Sequence, residues 1–328
     1  MRTATSKPEL LTPNMPKCSV IVLNFNGKAL LGPCLDSLRC QSYSDFETLV
    51  LDNGSDDGSL EYVAQQFPEV RILALKKNLG FCAANNVAIT EVLVRGAKFF
   101  VLLNNDTFVA PDFLSEMLSV MEQDERVAVV CPKIYFADQP SKFWYAGGDF
   151  SLWTGRPKVR GYKKKDHGQW DEASEITLAT GCAMLVRASA VREVGLLDER
   201  FWAYLEDVEW SVRFLRKGYK LRFAPKAHVW HHGGASFARS GSYAQAQYLG
   251  TRNLLFIGWK HARWWQLVCW VPEFLFGQVF FYTVLRIVRK DFRACWAIYR
   301  GIGAFFKMIL ANPDQRDSRV VRAGKNSN

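Results

Sequence analysis

The chain predicts an α/β fold: a largely parallel sheet with helices on both faces. Three observations carry this. Uncharged apolar runs recur through the first 131 residues, as in strands buried on both faces. Segments of helical apolar spacing alternate with them. Polar residues then follow three of the runs, at Asn24, at Asp52 and at Asn104-Asn105-Asp106, where open α/β sheets bind ligands past their strand ends.

In chain order, residues 1–16 lack the apolar run of a signal peptide and read as a flexible leader. KCSVIVLN over 17–24 is the first predicted strand, and Asn26-Gly27 turns the chain. Leu30, Leu31, Leu35 and Leu38 give 28–40 a helical face. A strand over 46–51 leads into DNGSDDGS, a turn in which Asp57 or Ser59 caps a helix over 60–67. A third strand spans 70–75, and the loop KKNLG opens a helix over 81–94. FFVLL at 99–103 stops at Asn104-Asn105-Asp106. Those side chains suit a hard divalent cation, and equally suit an Asx-rich turn. Pro111 starts a helix over 112–123, before a strand over 127–131.

Right-handed crossovers bring these strand ends to one edge, the pattern of a nucleotide-binding half-domain. The first turn reads N-F-N-G rather than G-x-G-x-x-G, which argues against a nicotinamide or flavin Rossmann enzyme.

The second half is less regular. Residues 143–171, rich in Trp, Tyr, Gly and Lys, form a substrate loop or hairpin excursion, with KKKD at 163–166 as a solvated tip. Strands over 176–179 and 183–187 flank the turn Thr180-Gly181. A helix over 206–217 stacks Val208, Val212 and Leu215 on one face and stops at Gly218. Its opening acids, Glu206-Asp207, also suit a helix N-terminus for structural reasons alone. Short strands over 220–224 and 227–230 precede His231-His232. His228 reads as a packing residue, because H-x-x-H-H has no Cys or acid at zinc-ligand spacing.

Residues 264–285 are a 22-residue apolar run interrupted by Pro272 and Glu273, long enough to span a bilayer. Basic residues flank both ends. Such symmetry, with interfacial Trp, favours helices lying in the membrane surface over a spanning helix or a packed cap. Residues 313–328 read as a disordered tail. Residues 260–328 hold twelve Lys and Arg against four acids, most of the net +10 of the chain. A near-neutral body with a basic, aromatic tail argues against a nucleic-acid groove and for an anionic lipid surface. Eight scattered cysteines without a C-x-x-C pair indicate a reducing, cytosolic compartment and no structural zinc.

Seven ordered segments, SVIVLNFNG, LVLDNGSDDGS, NLGFCAANN, LLNNDT, TGCAMLVR, YLEDVEW and HVWHHGGAS, resemble the family 2 glycosyltransferases of GT-A fold. The chain is most similar to their non-processive, rhamnosyltransferase-like branch, which builds bacterial surface polysaccharides. The resemblance implies a GT-A domain over 17–247, with a nucleotide-sugar half (17–131) and an acceptor half (132–247), then amphipathic helices over 248–312. It assigns Val22, Asn24 and Phe25 to the base, Asp52 to the pyrimidine, and Asn78 and Gly80 to the nucleotide side. Gly181 and Glu206 line the nucleotide sugar. Asn104-Asn105-Asp106 stands in place of the family's D-x-D, leaving Asp106 to hold Mg²⁺ or Mn²⁺ with the diphosphate. His231 or His232 reaches the metal, and Asp207 is the general base.

One base and one displacement imply inversion at the anomeric carbon. The implied donor is dTDP-rhamnose, and the implied acceptor is a glycan or polyprenyl-linked glycan at the cytoplasmic face of the plasma membrane. No Q-x-x-R-W motif of a processive synthase is present, and N-F-N-G-K poorly matches a nucleotidyltransferase loop. A second reading is a non-catalytic nucleotide-sugar-binding scaffold, motivated by the depleted metal motif. Arg252-Asn253 resembles a family R-N dipeptide and reads by default as a packing salt bridge.

Overall fold

The computed structural model describes residues 16–233 and 243–311. The expected tail, and all but the last residue of the expected leader, lie outside the described residues. The chain opens β1 (Cys18–Asn24), α1 (Lys28–Arg39), β2 (Phe46–Asp52), α2 (Ser59–Gln66), β3 (Arg71–Ala74), α3 (Gly80–Arg95) and β4 (Phe99–Asn104). There follow β5 (Thr107–Val109), α4 (Phe113–Glu122), β6 (Val127–Phe136), β7 (Gln139–Tyr145) and the small hairpin of β8 (Gly148–Phe150) and β9 (Pro157–Val159). Next come β10 (Ser174–Ile176), β11 (Ala183–Arg187), α5 (Ala188–Val194), α6 (Glu206–Arg216) and β12 (Lys220–His231). The C-terminal helices are α7 (Tyr243–His261), α8 (Trp264–Val288, π-helical over Phe274–Phe281) and α9 (Phe292–Ala311).

A ten-stranded mixed sheet runs β10-β12-β6-β11-β4-β1-β2-β3, with β5 on β12 and β7 on β6. The first four strands pair in parallel, as the alternating apolar runs predict. Their cores are fully buried: Val20, Ile21, Val22, Leu49, Leu51 and Phe100 are at most 1% exposed. The sheet is largely parallel as expected, and it becomes mixed past β4. β11 inserts antiparallel between β4 and β6, so the later half of the chain shares the first half's sheet. Antiparallel pairing runs Ala183 beside Leu103, which brings the Thr180-Gly181 turn against the end of β4.

The helix expected over 112–123 spans Phe113–Glu122 with Asp112 and Gln123 as its caps, and Thr107–Val109 before it pairs with β12 as a short strand. Three expectations are corrected. The strand expected over 176–179 ends at Ile176. The two short strands over 220–230 form one strand with a register shift between Ala224 and His228, around Pro225, which lacks a ladder donor. Asp166 is not in a solvated tip: Lys133, only 2% exposed, needs a counter-charge and draws Asp166 to 3.5 Å, while Tyr135 donates to the same carboxylate at 2.6 Å.

The boundary expected at 247/248 falls inside α7, which packs on the body. Lys260 Nζ and His261 Nε2 approach Glu209 of α6 at 2.8 and 2.9 Å, and Glu209 is wholly buried. Burial opposes ionisation of that carboxyl, but the charges of Arg213 and Lys260 and the His261 bond outweigh it and hold its pKa low. By contrast α8 leaves Phe276, Phe280 and Phe281 72%, 65% and 59% exposed. By length and composition alone, α8 and α9 are each long and apolar enough to cross a membrane.

Candidate active site

Parallel register places Asn24 opposite Asp52, and Leu23 opposite Asn104. Asn24 Nδ2 donates to Asp52 Oδ1 at 2.9 Å, and Asn105 Nδ2 donates to Asn24 Oδ1 at 2.6 Å. Ser55 donates to both Asp52 oxygens, through its amide at 2.9 Å and its hydroxyl at 2.6 Å. Asn24 and Asp52 are 0% and 1% exposed, so this chain of bonds ties three strand ends together. Val22 is also wholly buried inside the sheet, whereas Phe25 and Asn104 are half-buried.

Asn78 and Gly80 lie in the turn that opens α3. Asn78 Oδ1 accepts from the Gly80 amide at 2.8 Å and from Asn53 Nδ2 at 3.1 Å, and Asn53 Oδ1 accepts from the Leu79 amide at 2.9 Å. Gly80 has φ +81°, and a Cβ there would lie 2.6 Å from the Trp202 ring, so only glycine fits. Asn53 escapes sequence reading because it sits inside a turn already rich in Asx residues.

Pairing of β5 with β12 sets His231 opposite Thr107, one residue past Asp106. His231 Nε2 lies 3.1 Å from Asp106 Oδ1, and both residues are buried. Burial disfavours the imidazolium, but the Cys182 thiol and the Asp106 carboxylate hold its pKa up to about 10. His232 is exposed, and its backbone amide donates to the Asp106 carbonyl at 2.9 Å. Of the two candidates, the imidazole beside the carboxylate is therefore that of His231. His228 packs edge-on against Tyr135 and Trp230, consistent with its structural reading.

The Glu206-Asp207 pair opens α6, against the turn before β11. Gly181 N donates to Asp207 Oδ2 at 2.9 Å, and Val208 N donates to Oδ1 at 2.8 Å. Burial raises the pKa of Asp207, and these amides partly counter it. Glu206 is buried, and its Oε2 has no hydrogen-bond partner among the described residues. Burial, with the neighbouring Asp207 charge, pushes Glu206 well above the usual carboxylate range. The two carboxyls are thus differentiated: Asp207 is amide-bound, while Glu206 favours its protonated form.

Three non-glycine residues with positive φ precede this pair: Trp202 (64°), Tyr204 (70°) and Leu205 (64°). Such backbone persists only where its surroundings hold it. Asn253 Nδ2 donates to the carbonyls of Phe201, Ala203 and Tyr204 at 3.1, 2.9 and 2.7 Å. Arg252 Nη2 donates to the carbonyls of Arg200 and Phe201 at 3.0 and 2.7 Å. The default salt-bridge reading of Arg252-Asn253 is corrected. These side chains bind backbone carbonyls, because the loop's turn leaves its acceptors without ladder partners.

An antiparallel strand inserted beside a parallel nucleotide-type half, with polar strand ends converging on an acidic helix start, defines a GT-A fold. The sequence profile of "Glycosyl transferase family 2" matches residues 19–195, more than half of the chain. The chain belongs to that family and is a glycosyltransferase. It is 26% identical over 269 residues to the N-acetylglucosaminyl-diphospho-decaprenol L-rhamnosyltransferase of Mycobacterium tuberculosis, covering 75% of this chain and 86% of the relative. It is 24% identical over 166 residues to the dTDP-rhamnosyl transferase RfbF of Shigella flexneri, covering 50% and 52% of the two chains.

Solved structures share the fold. One is the Pyrobaculum calidifontis mannosyltransferase PcManGT, in complex with GDP-Man and Mn²⁺, at TM-score 0.53 and 14% identity, covering 96% and 81% of the two chains. Another is GalNAc-T7 with UDP, GalNAc and Mn²⁺, at TM-score 0.57 and 17% identity, covering 75% of this chain and 48% of that one.

Proposed function

We propose that this glycosyltransferase moves rhamnose, with inversion, from dTDP-rhamnose to a lipid-linked glycan of the N-acetylglucosaminyl-diphospho-polyprenol kind. The observation that carries the reading is the fixed Asp207 carboxylate, bound by the Gly181 and Val208 amides at the end of the sheet. The activities of the mycobacterial and Shigella relatives support the choice of sugar and acceptor. In this reading Asp207 takes the proton of the acceptor hydroxyl as the oxygen attacks the anomeric carbon. Protonated Glu206 adds little negative charge beside the departing diphosphate, which would otherwise be repelled. Phe25, Asn104 and Gly80 line the nucleotide side, while the buried Val22, Asn24, Asn105 and Asp52 and the half-buried Asn78 keep its loops in place.

The donor set fits a hard divalent ion. Among the described residues no cluster of three or more His, Cys, Asp and Glu forms a closed metal site. Asp106 and His231 instead offer one oxygen and one nitrogen 3.1 Å apart, about the spacing of neighbouring ligands on an ion that the diphosphate completes. When bound, Mg²⁺ or Mn²⁺ would supply Lewis-acid stabilisation of the leaving diphosphate. Asp106 and His231 would hold it, with the His231 proton displaced.

We place the enzyme at the cytoplasmic membrane surface. The exposed apolar faces of α8 and α9, and the free state of all eight cysteines, support this. Calorimetric titration of the purified chain with dTDP-rhamnose, UDP-GlcNAc and GDP-mannose, with and without Mn²⁺, tests the donor reading. Mn²⁺-dependent binding of dTDP-rhamnose is expected. Failure of every donor to bind would overturn the donor reading, and binding without transfer would favour the nucleotide-sugar-binding scaffold.

A further inference from the structure

A groove of about 630 Å³ lies between α7 and α9, apart from the strand-end polar cluster. Trp202, Tyr248 and Arg252 line it with Arg293, Trp296 and Arg300. The last three repeat at i, i+3 and i+7 and so project from one face of α9. Close helix approach builds the floor: a Cβ at Gly301 would lie 2.7 Å from the Tyr248 carbonyl oxygen. The guanidinium groups of Arg252 and Arg300 lie 5.9 and 5.6 Å from the centroid of one ring, Tyr248. None of the described residues lining the groove is acidic. Three gathered guanidinium groups without a carboxylate among them make a site for an anion. Their forked donors match phosphate oxygens.

We propose that this groove binds the diphosphate of a prenyl-diphosphate-linked acceptor. The role as acceptor site rests on the transferase reading above; the ligand chemistry rests on the groove itself. A further observation selects a lipid diphosphate over a free one. The groove's mouth is apolar, with Trp296 65% exposed and Phe292 of the same helix also 65% exposed, beside the uncovered faces of α8. A prenyl chain leaving the arginines therefore meets apolar surface or bilayer.

Trp202 joins the groove to the reaction centre. It lies four residues before Glu206, and its carbonyl accepts from the Phe81 amide at 2.7 Å. A diphosphate held on Arg252, Arg293 and Arg300 thus has its attached sugar beside the loop that delivers Asp207. Arg252 serves both sides, since it also binds the carbonyls of that loop.

The test is binding of farnesyl diphosphate, below its micelle concentration, to the purified full chain, read by tryptophan fluorescence and calorimetry. Farnesyl diphosphate is expected to bind, and Arg293→Gln/Arg300→Gln is expected to weaken it at least about tenfold, because the variant removes two charge-assisted phosphate contacts. The variant's melting temperature and its affinity for thymidine diphosphate should be unchanged, because both arginines are exposed. Inorganic diphosphate and farnesol should each bind more weakly than the ligand that joins them.

Equal binding of farnesyl diphosphate by wild type and variant would overturn the proposal. Equal affinity for inorganic diphosphate would reduce the groove to a general anion site. Preference for phosphatidylglycerol vesicles over farnesyl diphosphate would make it a headgroup site, also against the proposal. If no nucleotide sugar binds but farnesyl diphosphate still binds through the arginines, the transferase reading fails while the lipid-diphosphate site stands.

Discussion

The side-chain amide of Asn253 donates to the Tyr204 carbonyl at 2.7 Å, so α7 grips the loop that ends at Asp207. The bond links a C-terminal helix to the acidic start of α6. Two more bonds from the same nitrogen, to Phe201 and Ala203, make Asn253 the hub of a loop held at positive φ. Asn253 is wholly buried, so those carbonyls have no water to turn to when it is removed.

Asn253→Ala is therefore expected to lose about 1–3 kcal/mol of stability and to lower kcat more than donor affinity. Thermal melting, with steady-state kinetics at saturating donor, checks this. Asn253→Asp should be no better, since a carboxylate cannot donate to carbonyls. Wild-type kcat in Asn253→Ala would remove the positioning role.

Asp207→Asn should keep donor affinity near wild type and reduce transfer about 10²–10⁴-fold, the usual worth of a positioned base. Because burial raises the pKa of Asp207, the acid limb of the kcat/KM profile should lie above the ordinary Asp value of 3.8. The base works when deprotonated, so the rate falls as pH drops through that limb. A flat profile from mid-acid to neutral pH would argue against this assignment.

Glu206 predicts a stability that falls as pH rises. Its folded pKa is raised, so its contribution is fully present below the unfolded pKa near 4.5 and is lost as pH rises through the folded value. Glu206→Gln should then raise the melting temperature at pH 8 relative to wild type and leave it nearly unchanged at pH 4. Melting curves at the two pH values decide the point. A lower melting temperature at pH 8 would show that the charged form is the stabilising one.

The exposed face of α8 predicts a lipid partner. Phe276→Ser/Phe280→Ser/Phe281→Ser should sediment with phosphatidylglycerol vesicles at least about tenfold less than wild type, since each buried Phe contributes roughly 1.5–3 kcal/mol. All three side chains are exposed, so circular dichroism should be unchanged. Equal sedimentation would return α8 to a role in protein packing.

The parallel half was legible because its signals are local. Apolar runs such as residues 99–103 have one compatible structure once they alternate with helical spacing. The strand-end cluster Asn24, Asp52 and Asn105 followed from topology. What failed depended on distant partners. β11 reads as an ordinary strand, and nothing near Ala183 states that it will run antiparallel between β4 and β6. Thr107–Val109 is too short to signal a strand without β12 beside it. His231 could not be told from His232 until that pairing fixed which ring faces Asp106. Asn253 left one trace, a polar residue on an otherwise apolar helix face, while Glu209, between Glu206 and Arg213, reads as part of a solvated charged face. Their targets lie 49 and 52 residues away. The buried Asp52 shows the converse: a motif position is legible in the sequence while the local bonds that occupy it stay invisible.

The central claim is tested most directly by following transfer from dTDP-rhamnose to a synthetic N-acetylglucosaminyl-diphospho-prenol, with the product linkage read by NMR. Wild type is expected to give a rhamnosyl product of inverted anomeric configuration, and Asp207→Asn to give almost none. Retained configuration, or undiminished turnover by Asp207→Asn, would contradict the account.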